Sequence, residues 1–347
     1  MNSYLYNKKS KKDLERDLEN EDFQRITLSF YKYIQLSNLE TFRDTLYLDL
    51  SNLNVLGRIY IASEGINAQV SIPKHQNKKF IDYIYSYDNF NDIQIKKAVE
   101  EGTSFYKLII KIKNEIVAYG VDKNNYNMGK VGTHLEPKDF NEKLSNPDSI
   151  VIDIRNHYES EVGRFENAIV PDVDRSQDLL EEVKELLDGK EDNKILLYCT
   201  GGIRCEKASS YLIKNGFKDV NQLKGGVVNY ANEVKENNLD SKFIGKNFVF
   251  DARMGERITK DVISKCHQCR GKADSHTNCA NDLCHLLFIQ CDNCKQEFEG
   301  CCCTECNNYL NLSDEMKANN KQKFLDFNEN RLKGKVKPKL YNILNQD

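Results

Sequence analysis

The chain has 347 residues, of which 30% are charged and 39% hydrophobic, with a formal net charge of -3. This balance belongs to a soluble globular protein of two or three domains, and its near-neutrality excludes a uniformly basic nucleic-acid binder, so any polyanion must be met by local patches. No run is long enough to span a bilayer, the first residues lack an apolar stretch of signal-peptide length, and ten of the twelve cysteines crowd between Cys266 and Cys306, a pattern expected of metal binding in a reducing cytoplasm rather than of a disulfide scaffold.

Residues 1–22 read as a polar arm, with Lys8, Lys9, Lys11 and Lys12 followed by alternating acids. Residues 23–120 read as an α+β domain. Strands are expected over 26–33, 57–62, 67–72 and 105–112, and helices over 39–50 and 78–87, with a hairpin turn at Ser63-Glu64-Gly65. The resulting β-α-β-β-α-β order is the ferredoxin-like split unit. Phe30, Tyr31, Tyr33 and Tyr60 lie on its strands; alternation sends about half of them to the core and leaves the rest as possible stacking platforms for RNA bases.

A polar linker, 124–130, precedes a second domain over residues 131–240, where strands alternate with helices as in a parallel sheet. Pro137 opens a helix. The run Ile150–Arg155 is a strand ending in Asp153 and Arg155, read as an internal ion pair near the site, with a substrate contact as the alternative. The central feature is Lys194 to Ile213. Ile195–Tyr198 is an apolar strand, Thr200-Gly201-Gly202 breaks it, and helical spacing resumes through Ala208, Tyr211 and Leu212. Cys199 therefore sits on a glycine-rich turn at a helix mouth, where unpaired N–H groups favour an anion and lower a cysteine pKa. The loop Thr200, Gly201, Gly202, Ile203, Arg204 and Cys205 would direct its amides inward at that sulfur. Arg204 is expected to brace the loop through backbone or an acidic partner, with charge pairing to substrate as the lesser option; Cys205 is either a resolving thiol or a small packed residue.

Residues 241–310 carry the cysteine cluster: Cys266/Cys269, Cys279/Cys284, Cys291/Cys294 and the run Cys301–Cys303 with Cys306. Cysteines two residues apart grip one tetrahedral ion, and three such pairs in so short a stretch point to structural zinc, an iron–sulfur cluster being the runner-up. The expected ligands are Cys266, Cys269, Cys279, Cys284, Cys291, Cys294, Cys302 and Cys306, with Cys266/Cys269 and Cys291/Cys294 sharing an ion in an interleaved arrangement. A second Asp-x-Arg, Asp251 and Arg253, ends an expected strand over 248–253. Residues 311–347 read as a helix near 312–327 and a basic tail, Arg331 to Lys339, with five cations in nine residues.

The string Cys199-Thr-Gly-Gly-Ile-Arg204 resembles the active-site loop of rhodanese domains, whose amides wrap a cysteine persulfide, in the short form that fits sulfur better than phosphate. Asp153-x-Arg155, Glu159 and Gly225-Gly226 resemble further rhodanese motifs, with Arg164-Phe165 where His-Ile is usual and Tyr230 where Trp is usual. Together with Ala62-Ser-Glu-Gly-Ile-Asn67, which resembles the acylphosphatase-like front domain, and the cysteine-rich end, the chain resembles the rhodanese-related tRNA uridine hydroxylases. The resemblance implies oxygen-dependent conversion of uridine 34 to 5-hydroxyuridine, with Cys199 essential, molecular oxygen as co-substrate and the tRNA anticodon loop, not DNA or membrane, as partner. A persulfide sulfurtransferase is the rival enzyme class, and a zinc-stabilised RNA-binding adaptor is the non-enzymatic reading.

Overall fold

The computed structural model describes Leu5, residues 9–173 and residues 175–332. A helix, α1 (Lys11–Glu19), leads into a five-stranded sheet formed by β1 (Arg25–Tyr33), β2 (Leu56–Ala62), β3 (Gly65–Pro73), β4 (Lys96–Lys97) and β5 (Leu108–Ile112) in the order β4-β1-β3-β2-β5. Helices α2 (Leu39–Asn52) and α3 (Asn77–Tyr85) supply Leu46, Leu50, Phe80 and Ile84 to a core built on one sheet face by Phe30, Ile59, Ile61, Ile66, Ala68 and Val70. Each of these side chains except Ala68 contributes about 1.5–3 kcal/mol when fully buried. The expected β-α-β-β-α-β order is present, but its closing strand is the two-residue β4, antiparallel to β1. The stretch expected to close it, 105–112, instead yields β5, which runs parallel to β2 on the opposite edge.

Strand alternation leaves the other sheet face free of α2 and α3. Register places Tyr31, Asn67 and Tyr60 in one cross-strand row of that face, and Lys96, Ser29, Gln69 and Arg58 in the next. Phe30 points the other way and is 1% exposed, so of the aromatics singled out in the sequence it alone is fully in the core.

The second domain contains β6 (Thr133–Leu135), α4 (Pro137–Leu144), β7 (Ser149–Asp153), α5 (His157–Val162), β8 (Gly163–Phe165), α6 (Leu179–Leu186), β9 (Lys194–Tyr198), α7 (Ile203–Lys214), β10 (Asp219–Leu223) and α8 (Gly226–Asn237). Its parallel sheet runs β6-β10-β9-β7, extended by a single bridge from Ile152 to Ile169. Both faces are covered: α6 and α7 pack with Leu197 and Ile195 on one side, while Phe140 of α4 and Val227 and Tyr230 of α8 pack with Leu196 and Tyr198 on the other. This explains the unbroken apolar run of β9, since a parallel sheet buried on both faces has no polar side.

The chain then continues through β11 (Phe243–Asn247), which pairs antiparallel with β8 and with β12 (Glu256–Arg257). The strand expected over 248–253 is not formed; the chain leaves the sheet at Asn247 and turns at Asp251–Arg253, where Arg253 Nε donates to Asp251 Oδ1 at 2.9 Å. The cysteine-rich end holds the hairpin β13 (His276–Asn278) and β14 (Leu287–Ile289), short helices α9 (Asp292–Glu297) and α10 (Thr304–Leu310), and α11 (Asp314–Leu332). No helix among the described residues is long and apolar enough to cross a membrane.

Candidate active site and cysteine clusters

Cys199 ends β9 and α7 starts four residues later, so the intervening chain must reverse sharply. Gly202, at φ +97°, makes that turn, and its N–H lies 3.1 Å from Cys199 Sγ. The loop is supported from below by the second glycine motif. Val227 N–H and Val228 N–H donate to the carbonyls of Cys199 and Thr200 at 3.0 and 3.1 Å. This close approach needs glycine at 226, because a Cβ there would lie 2.5 Å from the Cys199 carbonyl oxygen and 2.7 Å from Gly202 N.

The Cys199 thiol is fully buried. Burial pushes its pKa up, but the Cys205 thiol, the Arg204 charge and the amides of Cys205 and Arg204 outweigh it and bring the thiol from its ordinary 9.0 down to about 6. Cys205 is held well above the usual thiol range by burial and by the neighbouring Cys199. At neutral pH Cys199 is therefore the thiolate and Cys205 the protonated donor to it.

Arg204 does not reach toward that sulfur with its fork. Its two terminal nitrogens donate to Glu159 Oε1 and Oε2 at 2.7 and 2.8 Å, and one also reaches Thr200 Oγ1 at 3.2 Å. Glu159 is itself held by the backbone N–H of Asn156 at 3.0 Å, in a capping box that starts α5. Burial opposes its charge, and Arg204 wins, leaving the carboxylate below its ordinary pKa. Asp153 and Arg155 form a separate pair: both are fully buried, Arg155 donates to Asp153 at 2.9 and 2.7 Å, and the Asp153 carboxylate also accepts from Tyr198 and Ser160. The pair fixes the ends of β7 and β9 and does not line the cavity next to the loop.

That cavity, of about 370 Å3, lies between the Cys199 loop and the face of the first sheet opposite α2 and α3, within the size range of ligand pockets, roughly 300–1,000 Å3. Thr200, Gly201, Ile203 and Arg204 form its roof, Tyr31, Tyr60, Asn67 and Gln69 its floor, and Phe250 and Arg253 one wall. The two domains are locked around it by contacts across long sequence separations. Lys96 Nζ donates to the Gly201 carbonyl at 2.9 Å and sits 4.6 Å from the Tyr31 ring centre. Burial pulls the Lys96 pKa down to about 8, against the charges of Cys199 and Glu206. The Tyr31 hydroxyl donates to Glu206 at 2.9 Å. On the far side of α7, buried Lys207 bridges Glu64 and Glu115 at 3.1 and 2.8 Å, which gives the turn Ser63-Glu64-Gly65 its role: it docks the first domain onto the helix that follows the loop. Lys96, Glu64, Lys207 and Tyr31 carry no local motif for these roles; the only sequence signal was the string 62–67 itself.

The eight expected ligand cysteines fall into two groups. Cys266, Cys269, Cys291 and Cys294 form one, and Cys279, Cys284, Cys302 and Cys306 the other, with all four sulfurs of each within 4.8 Å of one another. A tetrahedral ion about 2.3 Å from each sulfur requires thiolates roughly 3.8 Å apart; Cys269–Cys291, Cys284–Cys302 and Cys302–Cys306 stand at 3.6, 3.7 and 3.5 Å. Each group can hold a metal ion, and both sets of four thiolates fit zinc. The first group interleaves Cys266/Cys269 with Cys291/Cys294 through the β13–β14 hairpin. Arg331, read in the sequence as the first cation of a basic tail, instead turns to the second group, donating to Cys284 Sγ at 3.3 Å and Cys302 Sγ at 3.5 Å, and to the adjacent Cys303 Sγ, outside the group, at 2.8 Å. The rest of that tail, 333–339, lies outside the described residues.

Three family models match the chain: the UPF0176 acylphosphatase like domain over residues 25–116, the Rhodanese-like domain over 136–233 and Rhodanase C-terminal over 244–307. The chain is 52% identical to a protein of Leptospira interrogans named tRNA uridine(34) hydroxylase, over 97% of this chain and 92% of that one. It is 46% identical to the protein of the same name from Photorhabdus laumondii, over 89% of both chains. With that of Pectobacterium carotovorum it shares 47% identity, over 89% of this chain and 87% of the other.

Proposed function

The chain belongs to the tRNA uridine(34) hydroxylases, and we propose that Cys199 carries the chemistry of that reaction on a base seated in the cavity beneath its loop. The enzyme is an oxidoreductase that hydroxylates uridine 34 of tRNA. The finer reading has the hydroxyl at C5 of the anticodon-loop base. That change oxidises the base by two electrons with molecular oxygen as the oxidant; because O2 takes four electrons on its way to water, each turnover also consumes two electrons and two protons from an external reductant, and the second oxygen atom leaves as water. The enzyme works in the cytoplasm.

The observation that carries this reading is the coincidence of a thiolate favoured at neutral pH with a cavity whose floor belongs to a different domain. A loop acting on small sulfur donors alone needs no such floor. Cys199 is fully buried and its loop, rather than its sulfur, lines the cavity. The negative charge of the Cys199 thiolate stays inside the loop. Arg204 and Glu159 keep the loop amides aimed at that charge. Phosphates position the RNA while the cavity takes the base out of its stack.

The two cysteine groups hold structural zinc: Cys266, Cys269, Cys291 and Cys294 at one ion and Cys279, Cys284, Cys302 and Cys306 at the other. The metal supplies folding energy to a region whose apolar core is small.

The experiment is photocrosslinking of an anticodon stem-loop RNA carrying 4-thiouridine at position 34. Crosslinks that map to Tyr31, Tyr60, Phe250 or the Cys199 loop are the expected result. Crosslinks confined to other surfaces would remove the base from this cavity.

A further inference from the structure

The sheet face under the Cys199 loop carries two carboxamides side by side. Asn67 and Gln69 are alternate residues of β3, so both point out of the sheet on the face opposite the Ile66, Ala68 and Val70 core. Gln69 Nε2 donates to Asn67 Oδ1 at 3.0 Å. That bond uses the acceptor of one amide and a donor of the other. It leaves the Asn67 amino group as a donor and the Gln69 carbonyl as an acceptor, and neither has a protein partner among the described residues. Both side chains are part-buried and line the cavity.

The surroundings are those of a site for a flat, neutral, polar ring. Tyr31 and Tyr60 flank Asn67 on the neighbouring strands, in direct register; aromatic rings are platforms on which RNA bases stack, and each of these carries a lysine, Lys96 Nζ 4.6 Å from the Tyr31 ring centre and Lys113 Nζ 5.4 Å from that of Tyr60. Arg58 and Ser29 flank Gln69 in the same way. The Tyr31 ring is held in place by its bond to Glu206 and by Lys96 above it. A donor beside an acceptor, next to two aromatic rings, matches the Watson–Crick edge of uracil, where a carbonyl oxygen stands next to N3–H. Cytosine held in the same orientation presents the opposite order there, an amino group beside an unprotonated nitrogen.

We infer that Asn67 and Gln69 form the base-reading element of the cavity: Asn67 donates to a uracil carbonyl, Gln69 accepts from uracil N3–H, and the pair selects uracil over cytosine at the reactive position. This deepens the proposed function and rests on the base occupying this cavity. It also gives a role to Asn67, the last residue of the string Ala62–Asn67, and explains why a sulfur-handling loop is faced by a polar sheet. A site built to hydrogen-bond one edge leaves buried polar groups unpaired when offered the other, which is the source of strong discrimination.

The test uses the full-length, metal-loaded chain and three anticodon stem-loop RNAs at one salt concentration, with uridine, cytidine or an abasic residue at position 34. The wild-type protein should bind the uridine RNA about tenfold or more tightly than the cytidine RNA, the size expected of one well-placed pair of base contacts. Asn67→Asp changes no volume but replaces the outward donor by an acceptor. It should narrow the uridine-to-cytidine ratio to near one or invert it, while the Cys199 loop and the affinity ranking against the abasic RNA report an intact site. Asn67→Ala should narrow the same ratio without adding charge. In turnover, both variants should raise KM for the uridine substrate far more than they lower kcat. Equal binding of uridine and cytidine RNAs by the wild-type chain, or an unchanged ratio in both variants, would overturn the inference. Crosslinks from position 34 that still map to this cavity would then show that only the base-reading assignment has failed; crosslinks elsewhere would show that the proposed site itself is wrong.

Discussion

Arg204 closes a two-point ion pair on Glu159, at 2.7 and 2.8 Å, and not on the sulfur of Cys199. The charge of Arg204 still lowers the Cys199 pKa from a distance, but its hydrogen bonds are spent on holding the loop. Glu159 is fully buried and Arg204 nearly so. Replacing Arg204 by Gln strands the carboxylate, and breaking a buried pair in this way costs about 3–5 kcal/mol. Arg204→Gln is therefore expected to lower unfolding stability by that order in urea titrations monitored on the second domain. Arg204→Lys should lose less, because it keeps the charge and gives up only the planar fork. Equal stability of Arg204→Gln and wild type would remove the brace.

The thiol pair gives a pH signature. Cys199 is a thiolate above about 6, so kcat/KM is expected to be full near neutrality and to fall as pH drops through about 6. Cys205 helps hold that value down by donating to the sulfur. Cys205→Ala removes the donor, so the acid limb should move to higher pH, with activity at alkaline pH retained. A limb that stays in place would show that Cys205 is only packing.

Gly202 is constrained twice over. Its φ of +97° disfavours any side chain, and a Cβ would lie 2.9 Å from the Tyr31 hydroxyl. Gly202→Val is expected to abolish turnover and to disturb the contact between the two domains, seen as a lowered thermal midpoint. Cys199→Ser, which preserves volume, should lower activity by roughly a thousandfold or more with the thermal midpoint little changed. Wild-type turnover by either variant would contradict the assigned roles.

Two groups of four thiolates predict two zinc ions per chain. Elemental analysis should find them, and chelation should first increase proteolysis between about residues 260 and 310, since metal binding there is folding energy. The first-domain sheet, with its own core of Phe30, Leu46, Ile59 and Phe80, should remain resistant. A visible-range chromophore with iron in place of zinc would overturn this assignment.

Legibility in the sequence followed the range of the interactions. The Cys199 loop could be read because the apolar run Ile195–Tyr198, the glycines and the helical spacing after Arg204 are contiguous, and the physics of strand, turn and helix mouth is local. Metal binding could be read because Cys266/Cys269 and Cys291/Cys294 announce themselves by spacing; which four cysteines share an ion could not, since the second group, Cys279, Cys284, Cys302 and Cys306, contains no pair at that spacing. β4 could not, since a two-residue strand has no periodicity; it exists because Lys96 and Lys97 align with Ser29 and Leu28. Residues 105–112 carry a clear strand pattern but no sign of which edge they join. The same limit hid the floor of the site. Lys96 and Gly201 are 105 residues apart and Tyr31 and Glu206 are 175 apart, so only the folded chain shows that they meet. Residues 248–253 misled for a simpler reason: Phe248 packs in a small apolar cluster with Tyr158 and Ile289, which imitates a strand residue in composition.

The central claim is that Cys199 acts on uridine 34 with oxygen as oxidant. The most direct measurement is mass spectrometry of tRNA nucleosides from cells lacking the native enzyme and supplied with the wild-type chain, with Cys199→Ser, or with neither, each grown with and without oxygen. The account predicts 5-hydroxyuridine-family nucleosides only with the wild-type chain and only with oxygen. Hydroxylation that persists with Cys199→Ser or without oxygen, or a loss confined to thionucleosides, would contradict it.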